Sequence, residues 1–119
     1  MTLPASPATA PAAALDVDVF GLDRAHKRAW LLDGLNRLTA HHQARCLPYA
    51  RVLEGLWPVA PAPSLEAVPW LPVRMFKLLD LKSIEDSQVS RTLVSSGTTG
   101  AAVSRIFLDA DTARAQARA

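Results

Sequence analysis

Apolar residues recur at steps of three or four through much of the first half of the chain, and this spacing constrains the fold more than any other feature. The stripe comprises Ala25, Ala29, Leu32, Leu35, Leu38, His42, Cys46, Tyr49, Leu53 and Leu56. Asp23 can cap a first turn, and Pro48 disfavours a helix interior but suits the start of a second helix. The pattern therefore predicts helices over residues 23–46 and 48–57 that share one buried seam.

Proline-rich stretches flank these helices. Most of residues 1–19 are Ala, Pro, Ser or Thr, which bury too little apolar surface to offset the entropy of ordering. We expect a disordered leader there and one folded unit over residues 20–119. Residues 58–72 contain five prolines, which predicts a stiff connector. A short helix over Val73–Leu79 and an extended piece over Leu81–Ile84 are expected to follow.

The last third of the chain changes to strand character. Arg91–Val94 and Val103–Leu108 are predicted strands, and Asp109 or Asp111 is expected to cap a helix through Ala113–Ala119. Two strands alone do not make a stable sheet. The sequence therefore predicts an α/β fold in which the helical hairpin packs on an incomplete sheet.

A run of hydroxyl and glycine residues lies between the two predicted strands. It consists of Ser95, Ser96, Gly97, Thr98, Thr99 and Gly100. Its glycines allow close backbone approach to a ligand, and its amides and hydroxyls can donate to phosphate oxygens. Arg105 can add a charge-assisted hydrogen bond. A Walker A loop is excluded because no lysine follows the last glycine, and a plain structural turn remains the alternative.

The hexamer resembles the Ser/Thr-Ser-Gly-Thr-Thr-Gly core motif of adenylate-forming enzymes, the acyl-CoA synthetase superfamily. Its flanks are similar to the LuxE-type family of acyl-protein synthetases. The blocks that carry this likeness are Leu71–Lys77, Leu81–Ser83, Thr92–Gly100, Ser104–Asp109 and Thr112–Ala113. The helical region is also similar to that family, so the resemblance covers about residues 20–119.

The resemblance implies a two-step ligase that uses ATP and Mg²⁺. A carboxylic acid, most simply a fatty acid, would form an acyl-adenylate, and the acyl group would then pass to a protein cysteine. An acyl-reductase is the implied protein partner. Within this family, Ser95–Gly100 would grip the ATP phosphates, and Arg105 matches a basic position where much of the superfamily has lysine.

Family members are roughly three times as long as this chain, beyond one small domain. We therefore expect an amino-terminal part of an adenylation domain that is inactive by itself and lacks a catalytic residue of its own. Cys46 does not correspond to the family's acyl-carrying cysteine. The alternative is a non-catalytic remnant or helical docking module, which would expose apolar surface.

Composition excludes several other classes. A net charge of +2 without a basic tract argues against nucleic-acid binding. The single cysteine excludes an internal disulfide and a cysteine-only zinc site. No apolar run approaches the ~18 residues of a membrane helix, and the first basic residue is Arg24, so no signal-peptide pattern opens the chain. A soluble, cytoplasmic protein without membrane contact is expected.

His42 and Cys46 are four residues apart on the apolar stripe. An activated thiol or two metal ligands would need this spacing, but a packed thiol beside a hydrogen-bonded histidine also explains it. We predict the packed arrangement and no metal site, with His41 facing solvent and His26 on the first turn. The large aromatic residues could line an acyl channel but better fit a core. They are Trp30, Trp57, Trp70 and Phe76.

Overall fold

A computed structural model describes residues 18, 20–57, 61–95 and 102–118. Of the leader predicted over residues 1–19, only Asp18 falls within that description. Residues 96–100 of the hexamer also lie outside it. None of the helices in the described parts of the chain is long and apolar enough to cross a membrane.

The first two helices form where the sequence predicts them. Helix α1 spans Arg24–Arg45, and its first turn is capped by the Asp23 side chain, which accepts from the His26 amide at 2.9 Å. Helix α2 spans Leu47–Leu56 and carries Pro48 in its first turn. The break at Cys46 is confirmed, because Pro48 has no amide proton with which to continue α1.

Between α2 and the strands, the described residues form only short helical turns. A 3₁₀ turn covers Leu65–Ala67, and helix α3 covers Met75–Leu78, which is shorter than predicted. The extended piece predicted over Leu81–Ile84 includes a bend at residues 83 and 84 and forms no strand. A second 3₁₀ turn at Asp86–Gln88 leads into the strands.

Strand β1 (Arg91–Val94) pairs with strand β2 (Arg105–Leu108) in an antiparallel hairpin. Helix α4 spans Ala110–Arg118 and so begins directly after Asp109, one of the two predicted caps. Its first turn is capped by Asp109, whose Oδ1 accepts from the Thr112 amide at 2.7 Å, so Asp109 rather than Asp111 is the cap. The described residues thus form a mixed α/β fold.

The predicted packing of the α1–α2 hairpin on the sheet is wrong. The helices that pack most closely on β2 are α3 and α4, whereas α1 packs on α2 and on the turn Leu65–Ala67. The connector lies against α1 instead, where the Asn36 side chain exchanges two hydrogen bonds with the Ala62 backbone, at 2.9 and 3.0 Å. An ion pair between Arg28 and Glu66 adds a second link to α1.

The core is smaller than the predicted seam. Its buried apolar residues, among those described, are Cys46, Leu53, Ala62, Leu108 and Ala115. Helix α1 has no buried residue, and Leu35 and Leu38 on its predicted seam are 37% and 40% exposed. The seam is therefore fully buried only at Cys46 and Leu53, although the connector contacts α1 at Arg28 and Asn36.

The four large aromatic residues differ in how far they are buried. Trp30, Trp57 and Phe76 are partly buried and lie outside the fully buried core, so the core prediction holds for them only in part. Trp70 is 68% exposed, so the core prediction is wrong for that residue.

Candidate functional site

The hexamer joins the two strands of the hairpin, and its first residue is Ser95. The Ser95 amide donates to the Ser104 carbonyl at 3.1 Å, and the Ser104 amide donates to Ser95 Oγ at 2.9 Å. These bonds extend the strand pairing beyond Val94 and Arg105, the last partners in the ladder. Both ends of the connecting segment are therefore held close together.

The Ser95 side chain makes one hydrogen bond within the hairpin and retains a donor for a ligand. It is exposed, and its hydroxyl oxygen accepts from Ser104. A serine hydroxyl also carries one proton to donate, which this contact leaves for another acceptor. The predicted hydrogen bond from Ser95 to a phosphate oxygen is compatible with this geometry. The roles predicted for Ser96, Gly97, Thr98, Thr99 and Gly100 lie outside the described residues.

Arg105 is the first residue of β2 and lies next to the closed end of the connecting segment. Its Nη2 donates to Asp80 Oδ1 at 2.8 Å, and both side chains are 52% exposed. An ion pair as exposed as this contributes only about 0–1 kcal/mol. The pair therefore contributes little to stability, and about half of the Arg105 side chain stays exposed beside it.

No pattern in the sequence points to Asp80, which is 25 residues away from Arg105 along the chain. The same segment carries Lys82, whose Nζ lies 4.9 Å from the centroid of the Phe107 ring. Lys82 also pairs with Asp86, and this hydrogen bond raises the pKa of Lys82. The segment therefore places alternating charges along one face of β2.

The packed arrangement predicted for His42 and Cys46 is confirmed. His42 is half-buried and its Nδ1 lies 2.6 Å from Ser83 Oγ, while the Cys46 thiol is 4% exposed. Within the described ranges, no group of three or more His, Cys, Asp and Glu residues is arranged to hold a metal ion. His26 lies on the first turn, as predicted, and the structure also shows its contact with Asp23, whereas His41 is partly buried instead of facing solvent.

Acidification is expected to destabilise the fold through His42. Burial lowers the pKa of His42 below its usual value of about 6.5, and the neighbouring His41 lowers it further. Because the unfolded chain then binds the proton more readily, the free energy of unfolding decreases as the pH falls through about 6.5. Denaturant unfolding across this range should show a smaller decrease in His42→Gln than in the wild type.

His41 titrates in the same direction, since burial also lowers its pKa, so some pH dependence is expected to persist in His42→Gln. The difference between the two proteins well above pH 6.5 reports the lost Ser83 contact separately. An identical decrease in both proteins on acidification would contradict the role of His42.

The connection between the two strands is flanked by two exposed groups, the hydroxyl of Ser95 and the guanidinium of Arg105. Groups of this kind favour an anionic ligand. Comparisons with protein-family models, curated protein sequences and solved structures give no match to this chain.

Proposed function

We propose that this chain is the amino-terminal part of an ATP-dependent acyl-protein synthetase of the adenylate-forming superfamily. The observation that carries the proposal is the hexamer Ser95–Gly100, which resembles the superfamily's core motif and connects two paired strands. Arg105 directly follows this connection on β2 with half of its surface exposed. A phosphate-binding role uses these features together, whereas a plain turn requires neither the hydroxyls nor the arginine.

In the proposed reaction, a carboxylate oxygen attacks the α-phosphorus of ATP. The bond from that phosphorus to the bridging oxygen breaks, which gives an acyl-adenylate and pyrophosphate. A cysteine thiol then attacks the acyl carbon, AMP leaves, and a partner acyl-reductase receives the acyl group. The residues of this chain serve the first step by holding the phosphates, so that charge on the departing pyrophosphate is stabilised.

Ser95 and Arg105 supply different parts of that stabilisation. The Ser95 hydroxyl donates one neutral hydrogen bond, and Arg105 donates charge-assisted bonds from a planar fork. Mg²⁺ accompanies ATP in the family that the chain resembles.

Gly97→Val tests the proposal. A valine side chain would block the close approach of the backbone to phosphate, so ATP binding by this chain is expected to be lost. In the complete protein, the same change is expected to abolish acid-dependent exchange of pyrophosphate into ATP. Calorimetric titration measures the binding, and labelled pyrophosphate measures the exchange.

Gly55→Val provides a matched control because a Cβ atom added at Gly55 meets nothing within 4 Å. This control is expected to bind ATP as the wild type does. Equal binding by Gly97→Val and the wild type would contradict the role given to the hexamer. Absence of ATP binding by the wild type would reject the ligase proposal for this chain.

A second candidate function is favoured by the apolar surface of α1. Leu31, Leu35 and Leu38 lie on adjacent turns and are 37–40% exposed. A non-catalytic helical docking module would bury such a surface against another helix. Binding of a hydrophobic dye and concentration-dependent association are then expected, and Leu35→Glu should reduce both. A monomer that binds no dye would contradict this candidate.

A further inference from the structure

The Asp80–Arg105 ion pair links the segment that follows α3 to the hairpin, next to the proposed phosphate-binding residues. Arg105 and Phe107 lie two residues apart on β2, so their side chains project from the same face. Asp80 contacts the first, at 2.8 Å, and Lys82 covers the second, at 4.9 Å from the ring centroid. The segment from Asp80 to Lys82 therefore runs alongside β2 and contacts it at both ends.

Asp80 also belongs to a segment that is anchored from the opposite side. Ser83 lies 2.6 Å from the half-buried ring of His42 on α1. Lys82 is paired with Asp86 as well as with the Phe107 ring. Contacts to α1 and to β2 thus restrict where the Asp80 carboxylate can lie.

The contact leaves most of the guanidinium available. Arg105 uses Nη2 to donate to one oxygen of Asp80. A guanidinium carries five N–H donors in a fixed plane, so several remain for a second acceptor. A single contact of this type orients the plane without occupying the whole fork.

We infer that Asp80 is a positioning residue that holds the Arg105 guanidinium ready for a phosphate oxygen of the ligand. The inference rests on the proposed function, since it requires an anionic phosphate beside the hairpin. A long arginine side chain otherwise loses rotamer freedom when it binds a ligand, and this loss weakens affinity. The bond from Asp80 restricts the side chain before the ligand arrives.

Asp80 could instead act as a competing anion that repels phosphate, and two substitutions separate these roles. Asp80→Asn keeps an oxygen that accepts from Arg105 but removes the negative charge. Asp80→Ala removes both the acceptor and the charge. Positioning predicts that only Asp80→Ala weakens binding, whereas competition predicts that both variants bind more tightly.

The experiment is calorimetric titration of inorganic triphosphate into the chain at fixed ionic strength. Asp80→Ala is expected to weaken binding by roughly 2- to 10-fold, the effect of ordering one flexible side chain. Asp80→Asn is expected to bind at least as tightly as the wild type. Asp33→Ala is the matched control, because Asp33 is an exposed aspartate that pairs with Arg37 on α1 rather than with Arg105, and it should bind as the wild type does.

Thermal melting of each variant separates positioning from folding. The inference is overturned if Asp80→Ala melts at a lower temperature than the wild type and Asp80→Asn does not restore binding. Equal binding by the wild type and Asp80→Ala would overturn it while leaving the phosphate-binding proposal intact, provided that Gly97→Val still abolishes binding. If the wild type binds no triphosphate, the inference and the proposed function both fail.

Discussion

Leu53→Ala is expected to destabilise the chain by about 2–5 kcal/mol, the range for truncating a buried leucine. Leu53 lies on α2, is 1% exposed, and is the side chain most completely enclosed in the described core. Truncation removes buried methyl groups and leaves a cavity that close-packed neighbours fill only in part. Because small domains are stable by only about 5–15 kcal/mol, this loss is large, and urea unfolding monitored by circular dichroism measures it.

Leu56→Ala is the matched control for this prediction. Leu56 lies on the same helix one turn later and is 69% exposed, so its truncation is expected to change stability by less than about 0.5 kcal/mol. Equal effects of the two substitutions would show that α2 packs with a different face inward. A small effect of Leu53→Ala alone would contradict the core described here.

Asn36→Leu is expected to cost about 2 kcal/mol or more through the backbone of Ala62. The Asn36 amide donates to the Ala62 carbonyl at 3.0 Å and accepts from the Ala62 amide at 2.9 Å. Ala62 is buried, so leucine at position 36 leaves one donor and one acceptor without their partners. Denaturant unfolding measures the loss, and hydrogen exchange of the Ala62 amide locates it.

Asn36→Asp distinguishes the two bonds, because it keeps the acceptor but places a carboxylate against the Ala62 carbonyl. We expect it to be destabilising as well. Arg37→Ala provides the control, since Arg37 is 72% exposed and its ion pair with Asp33 contributes little. Unchanged exchange of the Ala62 amide in Asn36→Leu would contradict the proposed link between α1 and the connector.

Local signals in the sequence were sufficient for the helices and the hairpin. Asp23 caps α1, Pro48 starts α2, and β-branched residues mark β1, and each acts within a few residues of its own position. The burial of α1 could not be predicted in this way. Whether Leu35 is covered depends on which distant segments pack against it, and the 3.6-residue period carries no such information.

The candidate site was predictable to the same extent. The hydroxyl and glycine run and Arg105 can be read from neighbouring residues. The partner of Arg105 lies 25 residues away, and the partner of His42 lies 41 residues away. Such pairs have no fixed spacing in the sequence, because they depend on the path that the chain takes between α1 and β2. Sequence reasoning therefore predicted the groups that we propose bind a ligand and missed Asp80, which contacts one of them.

The links from the connector to α1 have a consequence for the folding route. Ala62 contacts Asn36 and Glu66 contacts Arg28, so four residues of connector span eight residues of α1 in the opposite direction. In a helix, eight residues rise about 12 Å, so Arg28 and Asn36 lie about two turns apart on α1, within reach of one short stretch of the connector. Prolines restrict the connector in the unfolded chain, which reduces the entropy lost when it docks. A preformed α1 can thus serve as the template on which the connector aligns.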